Sequence, residues 1–82
     1  MNSHPLDRLL PELRQHYDDA VREHSKPEDA DLEYRVNVHL TEAKEAMQAW
    51  QRGKLSELKT ELFHSVVTGI RALIVLDKKP LG

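Results

Sequence analysis

Apolar residues recur along this chain at helical rather than strand spacing. Leu6, Leu9, Leu10, Leu13, Tyr17, Ala20 and Val21 share one arc, with Asp7, Arg8, Asp18, Asp19 and Arg22 opposite, which predicts a helix over about 6–24. Pro11 interrupts that pattern. It belongs either to the first turn of a helix starting near Leu10 or to a kink in a longer one. Ser25-Lys26-Pro27-Glu28 joins capping-box spacing to an early-turn proline and predicts a stop and restart, with a second helix over about 28–52. In it Leu32, Val36, Leu40, Ala43, Met47 and Trp50 follow at intervals of 4, 4, 3, 4 and 3, a continuous apolar seam. Gly53 reads as the C-terminal cap and Lys54-Leu55-Ser56 as a turn. A third helix is predicted over about 56–77, with Lys78-Lys79 suited to its negative end and Pro80 ending the pattern. The fold class is therefore all-α, a two-helix hairpin preceded by a shorter amphipathic helix, in one domain spanning residues 1–82.

The third helix carries an unusually wide apolar arc of about 180° on an ideal wheel. Leu55, Leu58, Leu62, Phe63, Val66, Val67, Ile70, Leu73, Ile74 and Leu76 all fall in it. An edge helix of a small monomer needs a stripe about half as wide. One half is expected to pack within the chain and the other against a second copy, giving a homodimer with a helical bundle at its centre.

Composition narrows the class. Eighty-two residues, 39% hydrophobic and 32% charged, describe a small globular domain. With no cysteine it has neither disulfides nor thiolate zinc ligation, so helix packing or association must hold it together. A net charge of −2 with acids and bases interspersed argues against nucleic acid as a partner. Val66 to Leu76, the most apolar stretch, is 11 residues long and broken by Thr68 and Arg71, so no membrane partner is expected. Met1 to Pro5 shows no cationic start followed by an apolar run. A cytoplasmic location is the expectation.

Two acidic motifs carry the candidate chemistry, Glu42-x-x-Glu45 and Glu61-x-x-His64. Groups three apart on a helix share a face. Glu42 and Glu45 sit on a flank with Val38, Ala46 and Ala49 rather than on the most polar arc of their helix, which suggests a partly covered face. Glu57, Glu61, His64, Thr68 and Arg71 form one polar stripe on the next helix. If the two stripes meet across the hairpin they make a metal and phosphate pocket; if they face water they are ordinary solvated surface.

The segment Leu40-Thr41-Glu42-Ala43-Lys44-Glu45-Ala46-Met47-Gln48-Ala49-Trp50-Gln51-Arg52-Gly53 resembles the first metal-binding helix of the MazG-like all-α nucleotide pyrophosphohydrolases. Glu57-Leu58-Lys59-Thr60-Glu61-Leu62-Phe63-His64 lies where that family's second motif, E-x-x-D, would stand. The resemblance covers about residues 32–77 and matches three of the four defining positions. It implies an oligomer that hydrolyses a (d)NTP to the monophosphate and pyrophosphate, with Mg²⁺ or Mn²⁺ held by Glu42, Glu45, Glu61 and the His64 position. Glu45 would be the catalytic carboxylate that activates water. His64 departs from the family's aspartate, and imidazole is a poor ligand for Mg²⁺ but a good one for Mn²⁺, Zn²⁺ or Ni²⁺.

Other residues offer less. His16 and His24 flank the apolar arc of the first helix and His39 lies near the seam of the second; edge-of-core packing suits all three. Ser3, Ser25, Ser56 and Ser65 have no nucleophile-elbow context, and Gly53 and Gly69 form no phosphate-cradling loop. Gly69 suits a close helix approach. Trp50 closes the seam, where core packing is the expectation; exposed together with Met47 and Tyr34, it would instead form a partner-binding patch. Arg71 is a further candidate binding residue.

Two functions follow. One is a non-catalytic protein-binding module of the regulator, inhibitor or adaptor kind, with a weakened metal site and no cofactor. The other is a Mg²⁺- or Mn²⁺-dependent (d)NTP pyrophosphohydrolase with a nucleotide as ligand.

Overall fold

A computed structural model describes residues 4–24 and 31–79, which form three helices: α1 (Pro5–Glu23), α2 (Leu32–Gln51) and α3 (Leu55–Asp77). Proline occupies the first turn of α1, where its missing N–H costs nothing, and the His4 imidazole accepts a hydrogen bond from the Leu6 N–H at 3.1 Å. The helix runs through Pro11, so Leu10 is not a start. Pro11 only withdraws the i→i−4 hydrogen bond that would reach the Asp7 carbonyl.

The second helix starts later than the sequence predicts. Asp31 is extended (φ −80°, ψ 123°), and its carboxylate accepts from the Tyr34 N–H at 3.0 Å, so Asp31 caps α2 and Leu32 is its first residue. The predicted Ser25–Glu28 restart and the Pro80 stop lie outside the described residues.

The turn between α2 and α3 is a Schellman closure. Gly53 adopts φ 69°, its N–H donates to the Trp50 carbonyl at 3.0 Å, and the Lys54 N–H reaches back to the Ala49 carbonyl at 3.1 Å. A Cβ at Gly53 would meet open space, so the cost of a side chain there is the left-handed backbone alone. Gly53→Ala is expected to lower stability by about 1 kcal/mol in a urea titration.

The predicted apolar seam of α2 is not its inward face. Turned toward the rest of the molecule are Arg35, Val38, His39, Glu42, Ala46 and Ala49, with Arg35, Ala46 and Ala49 buried. Trp50, placed in the core by the sequence reading, is 60% exposed, and Met47, Leu40 and Val36 are also exposed. The reason lies in size and hydrogen bonding. Ala46 and Ala49 let two helices approach closely, which a row of Leu, Met and Trp does not. His39 Nδ1 donates to the Ser65 carbonyl of α3 at 2.8 Å and lies 3.2 Å from Thr68 Oγ1. Its ring packs where a Gly69 Cβ would come within 3.2 Å, so Gly69 permits the close approach expected of it.

The α3 helix is shared between two neighbours. Ser65, Thr68 and Gly69 meet α2 through His39, while the Phe63 ring stacks on His16 of α1 with centroids 5.0 Å apart. Among the described residues the buried hydrophobics are Ala46, Ala49, Phe63 and Val67, and α1 contributes none. Polar contacts supplement its packing: Glu12 pairs with Lys59 at 3.3 Å, and Arg71 donates to the carbonyls of Ala20 (3.3 Å) and His24 (2.6 Å). These are carbonyls at the C-terminal end of α1, where a cation is favoured. Arg71→Met is expected to loosen the last turn of α1 by about 1.5 kcal/mol, read as faster amide exchange there with α2 and α3 unchanged.

Candidate cation site

The two polar stripes meet in part. Glu42 on α2 and Glu61 and His64 on α3 bring one ligand atom each within 4.8 Å of one another. His64 Nδ1 stands 3.8 Å from Glu42 Oε2 and 3.8 Å from Glu61 Oε2. Those two oxygens are buried and accept from no N–H or hydroxyl group among the described residues. The arrangement follows from helix geometry. Glu61 and His64, three apart, share one face of α3, and the Schellman turn folds that face against the flank of α2 bearing Glu42.

Burial pushes the Glu42 carboxyl from its ordinary 4.5 up to about 7. The negative charge of Glu45 adds to this, as do a proton shared with Glu45 or Glu61 and the charge of Glu61. Glu45, half-buried, is thus next to Glu42, but outside the three groups whose ligand atoms converge. The folded chain holds the Glu42 proton more tightly than the unfolded chain does. This group's contribution to stability is therefore complete below about pH 4.5 and is lost as pH rises through about 7. Thermal midpoints of the cation-free protein are expected to fall between pH 5 and pH 8, and to fall less in Glu42→Gln.

A cavity of about 490 Å³ opens beside this group, between α1 and the hairpin. Its walls include His16, Asp19, Arg35, Glu42, His64 and Arg71, so carboxylates and cationic groups face one space. The volume is ordinary for a small-molecule site. Arg35 is buried and its guanidinium lies 5.8 Å from the Tyr34 ring centroid. The His16 ring meets His64 edge to face with centroids 5.4 Å apart, and its Nε2 lies 3.6 Å from Glu12 Oε2.

Of the residues singled out in the sequence, Glu42, Glu61 and His64 come together, Glu45 adjoins them, and Arg71 lines the cavity with its guanidinium on α1. Tyr34 also lines the cavity. It is therefore separated from Trp50 and Met47, which leaves no three-residue patch: sixteen helical residues from Tyr34 to Trp50 span about 24 Å. Glu57 turns away to pair with Arg52 at 3.3 Å and Lys54 at 3.7 Å. Sequence reasoning missed Arg35 and the place of His16 beside His64. Arg35 lies between Leu32 and Val38 with no distinguishing motif, and His16 shows nothing in sequence that ties it to a residue 48 positions away.

Two buried oxygens and one imidazole nitrogen could hold a metal ion. Oxygen-only sites suit Mg²⁺, and a nitrogen moves the preference toward Mn²⁺ or later metals. Comparison of the chain with protein-family models, with curated proteins and with solved structures yields no match.

Proposed function

We propose that the protein binds a divalent cation, Mn²⁺ ahead of Mg²⁺, at Glu42, Glu61 and His64, and binds the phosphates of a nucleotide beside it, in the manner of a MazG-like pyrophosphohydrolase. The observation that carries this reading is the convergence of Glu42 Oε2, Glu61 Oε2 and His64 Nδ1, with both oxygens buried and accepting from no N–H or hydroxyl group among the described residues. A cation bound there would neutralise phosphate charge and acidify a bound water. Glu45 is the carboxylate left to accept a proton, and Arg71 stands on the wall where phosphate would extend. The test is calorimetric titration of Mn²⁺ and then Mg²⁺, followed by an assay for pyrophosphate release from a dNTP panel. Tight Mn²⁺ binding with pyrophosphate release supports the whole reading. Binding without release reduces it to a cation-dependent nucleotide-binding module, and no binding removes it.

The raised Glu42 group gives a further expected result. A cation competes with the Glu42 proton, so affinity should rise as pH climbs through about 7. Titrations near pH 7 in two buffers of different ionisation enthalpy should show part of a proton released per cation bound.

A second reading, a non-catalytic protein-binding module, is favoured by the exposure of Trp50 and Met47 on the outer side of α2. The oligomer is also proposed, as a homodimer. Among the described residues no helix is long and apolar enough to cross a membrane.

A further inference from the structure

Beyond Glu42 and His64, the two sides of the cavity differ in charge. Arg35 on α2 and Arg71 on α3 line the side formed by the hairpin, while Asp19, Glu23 and the end of α1 at Ala20 and His24 line the other. The Arg71 guanidinium donates to the carbonyls of Ala20 and His24, at 3.3 and 2.6 Å. Those carbonyls stand at the negative end of the α1 dipole. The helix thus offers Arg71 what a bound phosphate would offer, oxygen acceptors carrying negative charge. It is also the helix least fixed in place. No residue of α1 is buried, whereas α2 buries Arg35, Ala46 and Ala49, and α3 buries Phe63, Val67 and Thr68. Leu6 and Leu9 near its start and Val21 in its last turn are exposed.

We infer, building on the phosphate-binding reading of this cavity, that the C-terminal end of α1 is a built-in competitor of the anionic ligand. It holds Arg71 in the closed chain, and a phosphate that takes Arg71 releases the last turns of α1. Two forces act in the same direction. An arginine–phosphate pair joins two full charges through parallel hydrogen bonds, whereas the carbonyls of α1 carry only partial charge, so Arg71 favours the phosphate. A phosphate in the cavity also stands against Asp19, Glu23 and the negative end of the helix, which disfavours the docked helix. Arg22 pairs with Asp19 and offsets part of that charge. A helix that clamped an anion would present cations to it; the carboxylates of Asp19 and Glu23 and the carbonyls of Ala20 and His24 do the reverse. The pivot is His16, whose ring stacks on Phe63 about two turns before the end of the helix. Release is thereby confined to residues 17–23, about 10 Å of helix. The pair of Glu12 with Lys59 lies on the fixed side of that pivot.

The test is amide exchange of the full chain with and without inorganic triphosphate, in the presence and absence of Mn²⁺, together with calorimetric affinity for the same probe. Triphosphate is expected to speed exchange about 10-fold in the last turn of α1, with α2 and α3 unchanged or slower. Val21→Gly alters no charge and lies outside the cavity wall, and it weakens the helix where release occurs. It is expected to bind triphosphate about 5-fold tighter than the wild type, because a larger share of the chain is already open. Binding by Val21→Gly where the wild type binds nothing supports the inference in its strongest form. A variant that binds more weakly, with slower exchange in α1 of the wild type, overturns the inference and makes α1 a clamp; the phosphate reading survives that result. Equal affinity with unchanged exchange in α1 overturns it as well. If neither protein binds triphosphate, the inference and the phosphate reading fall together, and Mn²⁺ binding in the same titration then preserves the cation site alone.

Discussion

Glu42→Gln should abolish Mn²⁺ binding while making the cation-free protein more stable at pH 8, and the two effects have one cause. At that pH, above the value of about 7 to which Glu42 is raised, its carboxylate carries charge beside Glu45 and Glu61 in a half-buried cluster. Replacing the central one by an isosteric amide removes the repulsion and gives the orphaned Glu61 Oε2 a donor. A satisfied buried acceptor is worth about 1 kcal/mol. The same change would delete an anionic ligand of the proposed cation. Altering a group that merely orients a ligand costs 10–100-fold in metal affinity, so loss of the ligand itself should exceed roughly 100-fold. Calorimetry with Mn²⁺ and a urea titration on the same sample read both. A variant that keeps its Mn²⁺ affinity would show that the cluster is not the site. One that loses stability instead would show that Glu42 holds the fold through contacts other than its charge.

Phe63→Ala is the substitution expected to cost the most stability. Phe63 is the largest of the buried hydrophobics, 8% exposed, and its ring stacks on His16. It therefore joins α1 to the hairpin as well as filling the interior. Truncating a buried phenylalanine costs about 3–5 kcal/mol, against about 4–12 kcal/mol for the whole stability of a domain this size. The variant is expected to be largely unfolded at 37 °C by circular dichroism, with Phe63→Leu losing less than about 1.5 kcal/mol. An alanine variant with a wild-type midpoint would mean that α1 and α3 do not depend on that ring. Stability should be compared at one protein concentration, since self-association would make the midpoint rise with concentration.

Most of the secondary structure was legible because it depends on local chemistry. Period-3.6 patterning located three helices, and Gly53 marked the end of the second because a Schellman closure needs a left-handed residue. The start of α2 was misplaced by about four residues. Ser25 and Asp31 both have the chemistry of a cap, and the structure shows Asp31 holding the Tyr34 N–H. Glu42, Glu61 and His64 were identifiable by spacing on their own helices, but spacing within a helix cannot say which way that helix turns. That uncertainty produced the error at Trp50. The bulky seam was the obvious inward face by hydropathy, yet closer helix packing through Ala46 and Ala49, with the His39 bond to Ser65, turned it outward.

The sequence by itself determined that the described residues form three helices, that Gly53 ends the second, and which residues share each helical face, because these depend on neighbours a few positions apart. Only the tertiary structure decided that Glu42 faces Glu61 and His64, that Arg71 donates to the carbonyls of Ala20 and His24, and that the seam of α2 faces out. Each of these follows from the rotation of one helix against another. Ala46, Ala49 and Gly69 set that rotation by permitting close contact, and His39 by its hydrogen bond to Ser65, an interaction between positions 26 residues apart.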